Sequence, residues 1–319
     1  MMKKLNHIPT FKDIRETHRG IQHMIHRTPV LTCESINRKA GTKIFFKCEN
    51  FQKIGAFKMR GASNAALRLS KEELNRGLAT HSSGNHAQAV ARSAQVLGVP
   101  AYIVMPETAP KIKVAATRGY GAEVVFCPNT LEDRESTLDA VVARTGATFI
   151  HPYDDFNVIA GQATAAKELI EDADALDIVL APIGGGGLMS GTALTTKALL
   201  PNAKIYGAEP EIVNDAYRSF KSGEMQFNDR IDTIADGLRT NLSNKTFDII
   251  STHLDDVFTV TEEAIIAAMQ LTWERMKIII EPSCAVPLAA IFTYPELFQS
   301  KRVGVILSGG NVDLGQLPF

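Results

Sequence analysis

Short runs rich in Val, Ile and Phe, at 44–47, 101–105, 123–126, 178–181, 204–207 and 303–307, alternate with longer amphipathic stretches. The latter fall at 85–97, 131–144, 159–170 and 262–276. Apolar runs of this length read as strands buried on both faces, since a half-exposed strand alternates polar and apolar residues. Strands separated by helix-length segments cannot close as hairpins. They need crossovers, which lay helices on the faces of a parallel sheet. The pattern predicts an α/β protein with open parallel sheets.

Local punctuation agrees. Ser70-Lys71-Glu72-Glu73 has the spacing of a capping box opening a helix, and Gly98-Val99-Pro100 reads as a helix stop before a strand. The chain has no low-complexity stretch, no solenoid repeat and no Pro/Ser-rich linker. Its division into domains must therefore be a crossing between packed layers. The expectation is a smaller α/β domain at 69–152, inserted into a larger one made of 1–68 and 153–319.

A chain of 319 residues can bury a sizeable site. With 45% hydrophobic and 22% charged residues it has the composition of a soluble globular protein. A formal net charge of −1 offers no electrostatic footprint for nucleic acid or anionic membrane, so the expected partners are small molecules. Lys3 and Lys4 imitate a signal sequence, but Asn6, His7 and Pro9 interrupt any apolar segment behind them. Cys33, Cys48, Cys127 and Cys284 are scattered without metal-ligand spacing. They read as reduced thiols of a cytoplasmic protein.

Four segments carry chemistry. Pro182-Ile183-Gly184-Gly185-Gly186-Gly187-Leu188 follows a buried strand and precedes a helix-like stretch. A glycine run there lets successive N–H groups converge on an anion, with the helix N-terminus adding partial positive charge. It is not a P-loop, because Thr192 stands where the lysine is needed; Met189 and Ser190 spoil a dinucleotide fingerprint. The second segment is Gly55-Ala56-Phe57-Lys58-Met59-Arg60-Gly61-Ala62. A lysine among apolar residues and glycines is a candidate for desolvation, which frees its amine for a Schiff base. Thr80-His81-Ser82-Ser83-Gly84-Asn85-His86-Ala87 is the third. Its hydroxyls and amide suit helix capping and a carboxylate cradle alike. The fourth, Val305-Ile306-Leu307-Ser308-Gly309-Gly310-Asn311, ends a strand where parallel sheets bind ligands.

Together and in this order, the four segments resemble the fold-type II pyridoxal 5′-phosphate (PLP) enzymes, the serine/threonine dehydratase and serine racemase family. The resemblance runs from Thr28-Pro29 to Asp313-Leu314 and is particularly close to serine racemases at 233–237, 273–277 and 308–314. It implies a tryptophan synthase β-like fold, an open parallel-sheet large domain with a smaller inserted one, and a homodimer. Lys58 then carries the cofactor, Gly184, Gly185, Gly186, Gly187 and Leu188 bind its phosphate, Asn85 its ring hydroxyl, and Ser308 its ring nitrogen. Ser82, Ser83, Asn85 and His86 surround the substrate carboxylate. Glu209 and Asp215, with the carbonyl of Val213, match a metal site whose oxygen ligands favour Mg²⁺, or Mn²⁺ or Ca²⁺. The plainer reading of those acids is a cap of the following helix at Asn214 or Asp215.

The implied reaction is elimination of the β-hydroxyl of L-serine, L-threonine or 3-hydroxyaspartate to a 2-oxo acid and ammonia. The alternative is racemisation of serine or a related amino acid with side elimination. Racemisation needs a second base opposite Lys58, and Ser83 matches it. A serine hydroxyl at 308 leaves the ring nitrogen neutral, which favours elimination over transamination. Tyr153 and Thr240 depart from the racemase pattern, Tyr153 toward threonine dehydratases. Arg134 and Arg239 are candidates for a second substrate carboxylate. Ending at Phe319, just past the Ser308 motif, the sequence is expected to lack the regulatory domain of longer threonine dehydratases.

Overall fold

Along the apolar runs successive side chains leave the backbone on opposite sides, and each side finds its own layer of helices. Ile178 and Leu180 join one core and Val179 and Ala181 the other. The computed structural model describes residues 2–319. Its strands are β1 (Val30–Leu31), β2 (Lys43–Cys48), β3 (Leu78–His81), β4 (Ala101–Pro106) and β5 (Glu123–Cys127). There follow β6 (Thr148–Phe149), β7 (Ile178–Pro182), β8 (Lys204–Pro210), β9 (Asp256–Val260) and β10 (Arg302–Leu307).

The helices are α1 (Phe11–Ile21), α2 (Glu34–Ala40), α3 (Lys58–Leu67), α4 (Lys71–Arg76), α5 (Asn85–Leu97), α6 (Lys111–Gly119) and α7 (Leu131–Thr145). Then come α8 (Phe156–Asp172), α9 (Gly187–Leu199), α10 (Asp215–Ser222), α11 (Asn244–His253), α12 (Glu262–Met276), α13 (Pro282–Thr293) and α14 (Pro295–Phe298). The capping box forms at the head of α4, with Ser70 and Glu73 exchanging bonds, and Gly98 ends α5 in the left-handed region at φ +68°.

The larger sheet has the order β1-β2-β10-β7-β8-β9 and the smaller β5-β4-β3-β6. Pairing is parallel throughout except at the edge of the larger sheet, where two-residue β1 runs antiparallel to β2. That antiparallel edge lies outside the apolar runs from which the parallel sheets are expected. It arises because Pro29 accepts the Cys48 N–H and leads β1 back along β2. Helices α2, α12 and α13 cover one face of the larger sheet, and α8, α9, α10 and α11 the other. On the smaller sheet, α3, α5 and α6 pack on the face of Leu78 and Ile103, and α7 on that of Ala79 and Val104. No helix among the described residues is long and apolar enough to cross a membrane.

One buried charge network fixes α3. Arg60, fully buried, bonds Glu49 Oε2 and Glu168 Oε2 at 2.7 Å each, and Lys47 Nζ meets the same Glu168 oxygen at 2.7 Å. The helix that begins with Lys58 is thereby tied to the end of β2 and to α8. Removing one partner would leave a buried charge uncompensated, at a cost of about 3–5 kcal/mol.

Candidate active site

In the larger sheet the chain steps from β7 through β8 to β9 in one direction, and β10 lies on the other side of β7. In the smaller sheet it steps from β3 through β4 to β5, and β6 lies on the other side of β3. Each reversal opens a crevice at the carboxyl ends of its strands, where α/β sheets bind ligands. The tetraglycine segment follows β7 and Ser308 follows β10; Ser82 to Asn85 follow β3, and His151 to Tyr153 follow β6. Sheet order alone brings the sequence motifs to two facing crevices.

Lys58 opens α3 between them. Its segment is stitched to the Ser308 segment: the Phe57 N–H donates to the Ser308 carbonyl at 3.0 Å, and the Gly310 N–H to the Gly55 carbonyl at 2.9 Å. The turn ahead of Lys58 is strained. Ile54, a β-branched residue, sits at φ +64° and Gly55 at φ +71°, and such conformations persist only when their surroundings impose them. Asn311 imposes this one, donating from Nδ2 to the Ile54 carbonyl at 2.7 Å. Lys58 Nζ donates to the Pro152 carbonyl at 2.9 Å. Burial pulls the amine down to about 8, against the opposing charge of Glu281.

The tetraglycine turn is an open set of donors. The Ile183 N–H is taken by Ala208 and the Ser190 N–H by Gly186; between them no backbone N–H finds an acceptor among the described residues. No side chain caps α9. A row of unpaired N–H groups at a helix N-terminus is an anion site. The glycines are also required by packing. A Cβ on Gly185 would run into the Tyr153 ring, and one on Gly187 would lie 2.9 Å from Tyr153 Cβ. On Gly186, at φ +84°, it would meet Thr246 Cβ at 2.7 Å, and on Gly184 the Leu238 Cα at 2.9 Å. Leu188 is buried behind the turn.

A second donor cradle heads α5. Gly84, not Ser83 or Asn85, is the N-cap, and no side chain caps the helix. Ser82 Oγ accepts from the Gly84 N–H at 3.3 Å, while the N–H groups of Ser83, Asn85, His86 and Ala87 and the hydroxyl of Ser83 have no protein partner among the described residues. The His86 ring turns away from this cradle. Its Nε2 lies 2.8 Å from the Ile150 carbonyl and must carry the hydrogen, and its Nδ1 is buried without a partner. Burial, then Lys58, holds the imidazole well below its usual range, so it is neutral. Its ring offers a lone pair rather than a donor. Only the His86 backbone N–H suits a carboxylate.

Glu281 is the site residue that sequence reasoning missed. It is 4% exposed, and both its oxygens accept from Asn85 Nδ2, at 3.0 and 3.1 Å. Asn85 Oδ1 in turn accepts from Asn311 Nδ2 at 2.8 Å, which fixes the amide's orientation from both ends. Burial, reinforced by Asp236, pushes Glu281 up to about 7. The available signal was an acid closing the apolar run 278–280 ahead of Pro282. Ser308, nearly buried, keeps its hydroxyl free of protein partners among the described residues. Rings line the opposite wall: His81 stacks on Phe149 at 5.6 Å, Phe149 meets His151 at 5.5 Å, and His151 meets Tyr153 at 4.8 Å.

The two arginines separate. Arg134 on α7 uses Nε on the Thr130 carbonyl and stands close enough to His81 for its charge, after burial, to lower that imidazole. Arg239 is committed, with Nε and Nη2 both on the Thr233 carbonyl at 3.2 and 2.7 Å. Thr240 is exposed.

Behind the tetraglycine turn lies the acidic pair, whose Asp215 holds Leu242, a neighbour of Gly186, and adds its charge to the burial that raises Tyr153. Glu209 and Asp215 are 0% and 1% exposed. Glu209 Oε1 accepts the Tyr217 N–H at 2.6 Å, while its Oε2 has no partner. Asp215 is held by the Leu242 N–H at 2.8 Å and by Asn228 Nδ2 at 2.6 Å. The expected cap by Asn214 or Asp215 is absent, since neither side chain caps α10; Glu209 takes that part from β8. Burial raises both carboxyls, Asp215 to about 6 and Glu209 well above the usual carboxylate range, the latter also through Asp215. Among the described residues no group of three or more His, Cys, Asp or Glu side chains converges to hold a metal. Two buried acids with an orphaned oxygen fit a cation only if carbonyl oxygen, such as that of buried Val213, completes the set.

Similarity to known proteins accords with this geometry. The family described as pyridoxal-phosphate dependent enzyme matches residues 21–309. The chain is 48% identical to a β-hydroxyaspartate dehydratase of Paracoccus denitrificans, over 98% of this chain and 99% of that one. It is 51% identical to a serine racemase of Dictyostelium discoideum, over 97% and 96%. The crystal structure of serine racemase from the same organism superposes with a TM-score of 0.91, at 52% identity, over 96% of this chain and 99% of that one. An amine shifted toward neutrality beside an unfilled row of N–H donors suits an aldehyde on a phosphorylated arm. The chain belongs to the pyridoxal-phosphate dependent enzymes.

Proposed function

We propose that the protein eliminates the β-hydroxyl of a small hydroxy amino acid, L-serine, L-threonine or 3-hydroxyaspartate, giving a 2-oxo acid and ammonia. The observation that carries the reading is Lys58 Nζ, drawn down to about 8 and lying between two unpaired donor sets. In this reading Gly184 to Leu188 hold the cofactor phosphate, Asn85 the ring hydroxyl and Ser308 the ring nitrogen. When bound, PLP supplies an electron sink for the bond broken at Cα. Ser82, Ser83 and the N–H groups at the head of α5 orient the substrate carboxylate. Lys58 Nζ removes the Cα proton, and the β-hydroxyl, once protonated, departs as water. Residues 69–152 close over the substrate, excluding water from the crevice. Arg134, with two nitrogens uncommitted, is the group suited to a second carboxylate, and Arg239 is not.

A second reading, racemisation of serine or a related amino acid with side elimination, is supported by the hydroxyl of Ser83, which is free of protein partners among the described residues and would serve as the base opposite Lys58. The acidic pair fits a structural Mg²⁺, Mn²⁺ or Ca²⁺ held by Glu209, Asp215 and the Val213 carbonyl. The exposed side chains of Phe51 and Ile279, 44% and 46%, flank the Asn50–Ile279 hydrogen bond and suit a homodimer contact. A cytoplasmic location is part of the same proposal. The test is separate incubation of PLP-loaded protein with L-serine, L-threonine and L-threo-3-hydroxyaspartate, with and without Mg²⁺. Measured 2-oxo acid and ammonia support elimination. D-amino acid formed in excess of 2-oxo acid supports the second reading.

A further inference from the structure

Lys113 on α6 reaches across the crevice to Asp236, Nζ to Oδ2 at 2.6 Å. Both ends are attached to the candidate site. Asp236 opens the turn Asp236–Leu238, whose Gly237 carbonyl and Leu238 Cα lie 3.1 and 2.9 Å from where a Cβ on Gly184 would be. The Gly237 N–H is fixed on Ser283 Oγ at 3.0 Å. This turn is therefore the wall behind the first glycine of the anion site. On the other side, Val114, next to Lys113, packs in one cluster with Ala87, Ala91 and Ala94 of α5, the helix headed by the carboxylate cradle.

We propose that Lys113 and Asp236 are the closure latch of the crevice, Lys113 being a positioning residue that acts through Asp236 on the turn backing Gly184. The proposal rests on the PLP-enzyme reading of that crevice. Other polar ties between the two domains, of Asn85 to Glu281 and to Asn311 and of Lys58 to the Pro152 carbonyl, are short-range and sheltered. The Lys113 and Asp236 side chains are 22% and 39% exposed, so their attraction is partly screened and salt-sensitive. A contact of that strength suits a surface that must part each turnover.

The test is charge exchange in the PLP-loaded protein. K113D, D236K and the K113D/D236K double variant are compared with the parent at 20 and 500 mM NaCl. Two readouts are taken: amide hydrogen exchange of peptides covering 111–119 and 236–238, and KM for L-serine. Each single variant is expected to speed exchange in both peptides, and to raise KM, by roughly two- to five-fold at low salt. The double variant is expected to restore both, and high salt to narrow the differences. Melting temperatures unchanged among the variants exclude a folding defect. Exchange in the single variants equal to the parent's, or a double variant as fast as the product of the two singles, overturns the latch. If the parent turns over none of L-serine, L-threonine and L-threo-3-hydroxyaspartate, the functional reading is at fault, and the exchange arm still decides the latch.

Discussion

Lys58 Nζ and the Pro152 carbonyl, 2.9 Å apart, join the head of α3 to the segment that returns the chain from the smaller sheet to the larger. The same segment accepts His86 through the Ile150 carbonyl and turns its own His151 Nδ1 onto the N–H groups of Tyr153 and Asp154. The candidate nucleophilic amine is thus seated on the crossing between the two sheets. Any movement of that crossing is felt at the amine.

The tetraglycine turn and Tyr153 should be coupled. Gly185→Ala drives a methyl into the Tyr153 ring, and the turn must shift to relieve it. PLP affinity, measured by equilibrium dialysis, is expected to fall at least about tenfold, about 1.4 kcal/mol. Adding Tyr153→Ala should recover much of the loss. If the second substitution recovers nothing, the glycine serves the anion directly and the ring is incidental.

The acidic pair sets a pH dependence whose sign is fixed. Asp215, raised from 3.8 to about 6, binds its proton more tightly folded than unfolded. Stability in the absence of a cation is therefore greatest below about pH 4 for this group and declines as pH rises to about 6, by up to roughly 3 kcal/mol. Mg²⁺ should raise the melting temperature more at pH 8 than at pH 5. Glu209→Gln should weaken that rise and stabilise the cation-free protein at pH 8. An equal Mg²⁺ effect at both pH values would contradict the assignment.

Ser83 is expected to separate the two reactions. Ser83→Ala removes a hydroxyl free of protein partners while leaving the backbone cradle intact. Formation of D-serine from L-serine should disappear, with 2-oxo acid production falling less than about tenfold. Parallel loss of both products would make Ser83 a carboxylate ligand only.

Much of this was readable before folding. The 178–181 run, the glycines behind it and the helix beyond form one local unit, and its residues determine strand, turn and helix without help from elsewhere. Phe57, Met59 and two flanking glycines suggest a desolvated Lys58, and burial does lower its amine, but its role as cofactor lysine comes from the resemblance and not from that segment alone. What was not legible depends on distant packing. Glu281 owes its place to Asn85 and Asn311, which are remote in sequence and adjacent only once the smaller sheet, with Asn85 behind β3, packs against the larger, with Asn311 behind β10. The His86 ring points inward because the Ile150 carbonyl accepts it, and nothing in Ser82-Ser83-Gly84-Asn85-His86 reveals that. Two-residue β1 carries too few side chains for any period, and its antiparallel sense follows from the partner it meets. The left-handed Ile54 runs against local preference and is held by Asn311, which bonds its carbonyl, and by the apolar clusters its side chain packs against.

The account turns on the identity of one nitrogen. Purified protein loaded with PLP and reduced with borohydride, then digested and mapped by mass spectrometry, should carry the cofactor on Lys58, and Lys58→Ala should carry none. A label on another lysine, or no label on correctly folded protein, would contradict it.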